Sequence, residues 1–338
     1  MIDLVTGGAG FIGSHLVDRL LAEGRTVRVV DNLSVGREAN LIQHCGNARL
    51  EVLIGDVADA ALMWKAAAGV DRLFHLAALA DIVPSIEKPE SYFRANVDGT
   101  FAAMEAARAQ GVRRVVYVAS SSCYGIPDVY PTPEDAPPRP QYPYALTKWL
   151  GEQLVMHWAL VYKLPAVSLR FFNIYGPRAR TSGTYGAVFG VFLAQILAGK
   201  PLTVVGDGSQ TRDFTFVTDA VDALITAAES DKIGEVYNVG SGRTVSVNHL
   251  AKLLRPPAIV HIPKRPGEPD CTFADTNRIE RDLGWKACVA FEDGVAIMLE
   301  NIEYWRDAPV WTEDKIAEVT RGWFRHLASA DPILSAGG

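Results

Sequence analysis

The chain has 338 residues, 49% of them hydrophobic and 21% charged, and a chain of this length buries a core that needs neither disulfides nor metal to fold. Its 33 basic and 39 acidic side chains give a formal charge of −6. An acidic balance without a basic tract argues against nucleic acid or an anionic membrane as the main partner.

Cysteine usage and apolar runs bear on the cellular setting. The four cysteines form no CxxC pair and have no histidines at ligand spacing, so we expect neither a zinc site nor a disulfide scaffold. The first residues lack the pattern of a signal peptide. The longest apolar run, Ala187–Gly199, is shorter than the about 20 residues of a membrane span. These features predict a cytoplasmic protein without metal.

Short β-rich runs alternate with amphipathic helical patterns from the first residue to Arg170. The predicted strands are Ile2–Thr6, Thr26–Asp31, Leu50–Ile54, Arg72–His75, Val115–Ala119 and Ala166–Arg170. The predicted helices between them are Phe11–Ala22, Asp59–Ala68, Tyr92–Ala109 and Tyr144–Tyr162. Alternation of this kind is typical of βαβ units and predicts an α/β protein with a doubly wound parallel sheet.

Beyond Asn173 the alternation weakens, and glycines and prolines interrupt shorter elements. We interpret this half as a smaller α/β lobe with a few strands returning to the main sheet. The expected division is a sheet unit at 1–172, with returning segments near 210–240, a lobe at 173–310, and an extra helix and tail at 311–338. Val310 to Leu327 is amphipathic and predicts a covering helix of unknown function.

A glycine-rich loop joins the first predicted strand to the first predicted helix. Gly7 permits a tight turn, Gly10 lets backbone N–H groups approach a pyrophosphate, and Gly13 permits close packing of helix on strand. Asp31, at the end of the second strand, is placed to accept a hydrogen bond from a ribose 2′-hydroxyl. This carboxylate predicts NAD rather than NADP, although Arg37 lies nearby and weakens that choice.

Three further segments fit the same dinucleotide. Asp56 and Val57 follow the third strand, where a side chain can reach the adenine amine. The fourth strand ends at His75 and is followed by the small residues of Leu76–Ala78. Asn96, in the next helix, is placed to tie the strand ends together. For His75 and Asn96 a purely structural hydrogen bond is the alternative interpretation.

Tyr144 and Lys148 stand four residues apart in a predicted helix and therefore share one helical face. A neighbouring ammonium and an oxidised nicotinamide ring both stabilise phenolate, so we expect them to lower the pKa of Tyr144. A serine at the end of the preceding strand can hydrogen-bond the same substrate oxygen. This set predicts removal of a hydroxyl proton while hydride passes to NAD.

These motifs together resemble those of the extended short-chain dehydrogenases/reductases, and within them the sugar-nucleotide epimerase/dehydratase group. The matching stretches, which run from residue 3 to about 285, are TGGAGFIGSHL, DNLSVG, GDV, HLAA, NVDGT, SSSCYG, YALTK, RFFNIYGPR, GDGSQTRDFTFVTD and RPGE. The resemblance implies a Rossmann domain that binds NAD, with the smaller lobe binding a nucleotide-diphosphate sugar. It is specific for the group and not for the substrate.

The resemblance also implies roles for individual residues. Ser120 would be the catalytic serine, Tyr144 the acid/base, and Lys148 would hold the nicotinamide ribose. The implied cofactor-binding residues are Gly7, Gly10, Phe11, Ile12, Gly13, Asp31, Asn32, Ser34, Gly36, Asp56, Val57, Leu76, Ala77, Ala78, Asn96, Tyr144 and Lys148. The implied substrate-binding residues are Ser120, Ser122, Tyr144, Asn173, Tyr185, Ala187, Val188, Arg212, Arg265 and Glu268. Within this second set the arginines would bind the diphosphate and Glu268 the nucleoside ribose, while Tyr185–Val188 would pack against the base.

The reaction expected by resemblance is C4 epimerisation of a UDP-hexose, UDP-N-acetylhexosamine or UDP-hexuronate through a transient 4-keto sugar. A 4,6-dehydratase of the group would carry Asp-Glu where Ser121 and Ser122 stand. A 4,6-dehydratase, a 3,5-epimerase and a C4 oxidase remain the alternatives, and a dinucleotide-binding scaffold without chemistry is disfavoured by the retained Tyr144. Cys123 is interpreted as a packed, inert thiol, with an acid/base thiol as its alternative.

The group also implies a homodimer through a four-helix bundle. Helices Tyr92–Ala109 and Tyr144–Tyr162 would pair with their copies, using apolar residues that include Trp149, Leu150, Val155 and Trp158. Packing of the same residues on the sheet is the alternative.

Overall fold

The structure, a computed structural model, describes residues 1–179 and 186–327. The strands are β1 Ile2–Thr6, β2 Thr26–Asp31, β3 Leu50–Ile54, β4 Arg72–His75, β5 Arg114–Ser120, β6 Ala166–Phe171, β7 Asn173–Tyr175, β8 Leu202–Val205, β9 Thr211–Arg212, β10 Phe214–Phe216, β11 Glu235–Val239, β12 Val245–Ser246 and β13 Ile259–Ile262. The helices are α1 Phe11–Ala22, α2 Ala60–Ala67, α3 Ile82–Glu87, α4 Pro89–Phe93, α5 Gly99–Ala109, α6 Pro143–Tyr162, α7 Val188–Leu197, α8 Val217–Glu229, α9 Val247–Leu254, α10 Asn277–Leu283, α11 Phe291–Glu300, α12 Glu313–Val319 and α13 Arg321–Leu327.

The main sheet confirms the predicted doubly wound α/β fold. Within the described ranges it has seven parallel strands in the order β11-β6-β5-β4-β1-β2-β3. The chain moves outward from β1 to β3 and then returns to β1's other side with β4. Strand order therefore reverses between β1 and β4, and in such sheets ligands bind at this point, beyond the carboxyl ends of the strands.

The sequence-based elements of the first half agree closely with the structure. Strands β1 to β4 and helix α1 have the predicted bounds, and β5 and β6 extend theirs by one or two residues. The predicted helix Tyr92–Ala109 differs, because a π-helical turn at Arg94–Asp98 separates α4 from α5. From the second half of the chain, β11 joins the sheet beside β6.

Helices cover both faces of the sheet, and their apolar spacing explains why. On α1, Leu16, Val17 and Leu20 recur at helical spacing and are buried against β1 and β2, while α8 packs beside them. Helices α2, α5 and α6 bury their apolar residues on the opposite face. The sheet is thus a middle layer between two helical layers.

The second half of the chain forms a core of its own. Helices α7, α9 and α11 pack around β8 and β10 with residues such as Phe192, Leu250 and Met298. Trp305 and Ile316 extend this core toward the C-terminal helices. None of the described helices is both long and apolar enough to cross a membrane.

Candidate active site

A cavity of about 820 Å³, called here the main cavity, opens where the carboxyl ends of β1, β4 and β5 face the second half of the chain. Most of the residues predicted from sequence meet in it. Its lining includes Gly7, Gly10, Phe11, Ile12, Gly13, Asp31, Asn32, Ser34, Gly36, Asp56, Val57, Leu76, Ala77, Ala78, Ser120, Ser122, Tyr144, Asn173, Ala187, Val188, Arg212, Arg265 and Glu268. Asn96 and Lys148 are buried behind this lining, and Tyr185 lies outside the described residues.

The glycine-rich loop leaves room for a ligand and none for side chains. Gly7 has φ +71°, and a Cβ on it would lie 2.9 Å from the backbone of Ala77. A Cβ on Gly13 would overlap the Gly7 carbonyl oxygen, and one on Gly10 would lie 3.1 Å from the same atom. Helix α1 begins at Phe11, so its first N–H groups have no partners within the helix. This cradle fits the pyrophosphate of a dinucleotide.

Asp31 is held rigidly at the edge of the cradle. Its Oδ2 accepts a hydrogen bond from the Ala9 amide at 3.0 Å, and its Oδ1 accepts one from the Leu33 amide at 2.8 Å. Burial raises the pKa of this carboxyl, and the two amide donors oppose the rise. A Cβ on Gly36 would lie 2.8 Å from both carboxylate oxygens. Glycine at position 36 therefore keeps the carboxylate open to the cavity.

Arg37, which weakened the choice of NAD, turns away from the main cavity. Its guanidinium lies 5.4 Å from the ring centroid of Tyr304, and Arg37 is absent from the residues that line the described part of the cavity. Beside the adenine segment, Arg94 Nε lies 3.4 Å from Asp56 Oδ2. Neither contact places an arginine against Asp31, where a 2′-phosphate would need one.

Asn96 and His75 are bonded to the protein itself. Asn96 accepts a hydrogen bond from the Leu79 amide at 2.8 Å, and it donates to the Leu79 carbonyl at 3.0 Å and to Thr147 Oγ1 at 2.9 Å. His75 lies between two threonine hydroxyls, and burial lowers its pKa to about 3. These hydrogen bonds tie the chain after β4 to α6, as in the structural interpretation of Asn96, and its cofactor contact stays a prediction.

The residues predicted to carry the chemistry lie close together in the structure. The hydroxyls of Ser120 and Ser122 lie 2.8 Å apart, next to the Tyr144 phenol in the lining of the main cavity. Burial raises the pKa of Tyr144, and the neighbouring hydroxyls of Ser120 and Ser122 oppose the rise. The expected lowering of this pKa is therefore not produced by the protein's own side chains, because desolvation of the phenolate outweighs their stabilising contacts.

Lys148 lies one helical turn beyond Tyr144 and is buried from solvent. Its ammonium stands 4.4 Å from the ring centroid of Tyr117. Burial lowers the pKa of Lys148 to about 7, and the carboxylate of Glu152 opposes that fall. Glu152 is itself buried and pairs with Arg170 at 2.6 Å. With a pKa of about 7, Lys148 changes between its charged and neutral forms near neutral pH.

The opposite end of the cavity carries the predicted cations. Arg212 Nη2 lies 3.0 Å from Glu268 Oε1, and Arg265 Nη1 lies 3.6 Å from Glu268 Oε2. Asn173 Oδ1 accepts a hydrogen bond from Thr272 at 2.7 Å. Two guanidinium groups that share one carboxylate leave an excess positive charge, which suits a diphosphate.

Sequence reasoning missed several aromatic members of this lining, among them Tyr142 and Trp323. Tyr142 stacks on Tyr144 with ring centroids 6.4 Å apart, and Trp323 of α13 lies 6.3 Å from Tyr142. Tyr142 was detectable in principle, because it stands two residues before Tyr144. Trp323 had no signal beyond an amphipathic pattern, since its neighbours in space are far away in sequence.

Cys123 is packed, as predicted. It is buried with Tyr124, Phe172 and Ala274, and burial raises the pKa of its thiol to about 12. Such a thiol stays protonated at neutral pH and is a poor nucleophile or base.

Comparison with known proteins identifies the family of this chain. The model of the NAD-dependent epimerase/dehydratase family matches residues 4–240. The chain belongs to the NAD-dependent epimerase/dehydratase family. It is 38% identical over 314 residues to a UDP-glucose 4-epimerase of Mycolicibacterium smegmatis, a match that covers 91% of this chain and 99% of that protein. The predicted family, fold and NAD cofactor are thereby confirmed.

Solved structures of the family extend the comparison. A UDP-glucose 4-epimerase of Thermotoga maritima, solved with UDP-glucose, superposes with a TM-score of 0.84 at 34% identity, covering 91% of this chain and 99% of that one. A dTDP-glucose 4,6-dehydratase of Streptomyces venezuelae, solved with NAD, also has a TM-score of 0.84, at 31% identity, with 91% and 97% covered. Family members with different reactions thus share this fold equally, so the choice of reaction depends on individual residues.

Proposed function

We propose that this enzyme inverts C4 of a nucleotide-diphosphate sugar, of the UDP-hexose, UDP-N-acetylhexosamine or UDP-hexuronate type, through a transient 4-keto sugar. The observation that carries the proposal is the position of the Ser120–Ser122–Tyr144 network. It lies in one cavity with the glycine-rich cradle on one side and Arg212 and Arg265 on the other. Residues suited to act as acid/base, to bind a dinucleotide and to bind a diphosphate therefore surround one cavity.

The larger half of the chain would hold NAD. Gly7–Gly13 and the first turn of α1 would bind its pyrophosphate, and Asp31 would accept from its adenosine ribose. When bound, NAD supplies a hydride acceptor that later returns the hydride to the sugar. The buried contacts of Asp31 hold it ready for the ribose hydroxyl without rearrangement.

Tyr144 would act as the acid/base. As a phenolate, Tyr144 would take the proton of the C4 hydroxyl, and as a phenol it would later return that proton to the C4 oxygen. Ser120 and Ser122 would orient that proton transfer, because their hydroxyls lie next to the phenol and oppose the rise in its pKa. Lys148 would supply positive charge one helical turn away from Tyr144. A second cationic group, the oxidised nicotinamide ring, would be required to overcome the rise in the pKa of Tyr144.

The second half of the chain would hold the nucleotide. Arg212 and Arg265 would exchange contacts with Glu268 for contacts with the diphosphate, which frees Glu268 for the ribose hydroxyls. Ala187 and Val188, at the start of α7, would pack against the base. With the nucleotide anchored at this end, the 4-keto sugar would be free to rotate within the cavity.

Simple epimerisation is favoured over elimination by the residues next to Ser120. Ser121 and Ser122 line the cavity where a dehydratase of the group would need an acid and a base. A hydroxyl with an ordinary pKa cannot remove a carbon-bound proton at neutral pH as a carboxylate does. The protonated thiol of Cys123 offers no substitute.

We also propose a homodimer formed by the outward faces of α5 and α6. These helices pack on each other, and Phe101 (49%), Leu160 (67%) and Tyr162 (49%) expose large apolar surfaces. Of the residues predicted for this interface, Val155 is buried in the core instead. Light scattering is expected to give twice the chain mass of 36.7 kDa, and a monomer would overturn the dimer.

The test of the reaction is incubation with a panel of UDP-, dTDP- and GDP-sugars without added NAD, with products read by proton NMR. A C4-inverted sugar is the expected product, and it would also show that the cofactor is purified with the protein and recycled. A 4-keto-6-deoxy product, or inversion at C3 or C5, would overturn the proposal in favour of another reaction of the family. In a parallel incubation with added NAD, a 4-keto product formed with consumption of NAD would identify a C4 oxidase.

A further inference from the structure

The C-terminal helices α12 and α13 lie beyond residue 240, where the family match ends. Ile316 of α12 is buried in the core of the second half, together with Trp305. This anchor carries the chain into α13, which packs against α3 on the opposite wall of the main cavity. The segment therefore bridges the two halves of the molecule at the cavity's substrate end.

Trp323 is the residue of α13 that reaches the main cavity. Its side chain is almost fully buried and still contributes to the cavity lining. The indole Nε1 donates a hydrogen bond to the Pro266 carbonyl at 2.7 Å. The guanidinium of Arg265 stands 5.5 Å from the centroid of the indole ring. On its other side, the ring lies 6.3 Å from that of Tyr142, which stacks on Tyr144.

These contacts restrain the loop that carries Arg265 and Glu268. The hydrogen bond holds the backbone at Pro266, and the aromatic ring attracts the guanidinium of Arg265 through its π-electrons. A guanidinium that is already oriented loses less conformational freedom when it binds a phosphate. The chain from Tyr144 through Tyr142 and Trp323 to Arg265 thus links the reacting centre to the diphosphate-binding groups by direct packing.

We propose that Trp323 is a substrate-positioning residue that holds Arg265 in place for the diphosphate of the nucleotide sugar. The C-terminal segment is then part of the substrate site and not only a cover. The inference rests on the proposed function for the identity of the ligand, a nucleoside diphosphate carrying a sugar. It assigns no chemistry to Trp323, which acts through Arg265.

The test compares Trp323→Ala and Trp323→Phe with the wild type in the full-length protein. Calorimetry measures the Kd of UDP, of UDP-glucose and of NAD, and kinetics measures KM and kcat for whichever sugar turns over. For Trp323→Ala we expect UDP and UDP-glucose to bind about tenfold more weakly, with NAD affinity unchanged. KM should rise by a similar factor while kcat stays within about threefold of the wild type.

Trp323→Phe separates positioning from folding. It keeps an aromatic ring near Arg265 but removes the indole N–H donor to Pro266 and one of the two fused rings, so UDP affinity should fall by about threefold. Trp64→Ala is the matched control, because Trp64 is exposed on α2 and lies outside the lining of the main cavity. That variant should bind UDP, UDP-glucose and NAD as the wild type does.

Two results would overturn the role of Trp323. One is wild-type affinity for UDP in both variants. The other is a parallel loss of UDP affinity, NAD affinity and kcat, which a general weakening of the fold would produce. Failure of the proposed function looks different, since wild-type protein would then bind UDP-sugars and invert none of them. The binding comparison among the variants would remain readable in that case.

Discussion

The two ends of the main cavity are built from different parts of the chain. The proposed cofactor end consists largely of backbone and small residues that follow β1, β2 and β4 in close succession. The proposed substrate end consists of side chains from distant segments, including Arg212, Arg265 and Trp323, which contact one another or share Glu268. An end made of backbone is rigid, whereas an end made of paired charges has to exchange partners when its ligand binds.

Tyr144 lies at the junction of the two ends, and its replacement should have the largest effect. Tyr144→Phe removes the acid/base and should lower kcat by about 10³-fold. The affinities for NAD and for UDP should change far less than kcat, because the variant keeps the ring of Tyr144 and the other contacts of both ends. Tyr237→Phe is the control, because Tyr237 lies on β11 outside the lining of the main cavity and its hydroxyl makes no hydrogen bond among the described residues. If Tyr144→Phe retained more than a tenth of wild-type kcat, its assignment as the acid/base would be wrong.

Gly13→Ala should disable the cofactor end alone. The new Cβ would meet the Gly7 carbonyl oxygen, and overpacking of this kind costs about 2 kcal/mol of folding stability. Urea unfolding and NAD titration should both register the loss. Gly322→Ala provides the contrast, because a Cβ there has nothing within 4 Å. Equal behaviour of the two variants would contradict the description of the cradle as tightly packed.

Arg265→Met should disable the substrate end alone. Loss of charge-assisted hydrogen bonds to a diphosphate costs about 2 kcal/mol, or about 30-fold in the Kd of UDP. NAD affinity should not change, since the cradle lies at the other end of the cavity. Calorimetry with UDP and with NAD on the same preparation decides the matter. A parallel loss of both affinities would show that the two ends are not separable.

The burial of Lys148 should be visible in the pH dependence of stability. Burial lowers its pKa from 10.5 to about 7, so between those values the unfolded chain binds a proton that the folded chain does not. The free energy of unfolding should therefore rise with pH over this range, by at most about 1.4 kcal/mol per pH unit. Below about pH 7 both states are protonated and the slope disappears.

Urea unfolding of NAD-free protein at several pH values, wild type against Lys148→Met, isolates that contribution. The difference between the two proteins should grow in favour of the wild type from pH 7 to pH 9. A difference independent of pH would mean that Lys148 keeps its ordinary pKa in the fold.

Much of the fold and of the candidate site followed from local sequence patterns. Hydrophobic periodicity located α1 and the strands of the first half, because each period reflects which face of an element is buried. The positions of Gly7 and Gly13 were also readable, since a left-handed turn and a close backbone approach admit only glycine. The π-helical turn at Arg94–Asp98 was missed, because its neighbours in sequence look like ordinary helix.

The sequence by itself determined the doubly wound α/β architecture and the glycine-rich cradle, and it indicated the residues of the proposed reactive set. Only the tertiary structure decided that Asn96 bonds Leu79, that burial raises the pKa of Tyr144, and that Trp323 enters the substrate end. The physical reason is the separation in sequence of the residues on which each property depends. Backbone conformation and hydrophobic period depend on nearby residues, whereas desolvation and pairing depend on segments that meet only after the chain has folded.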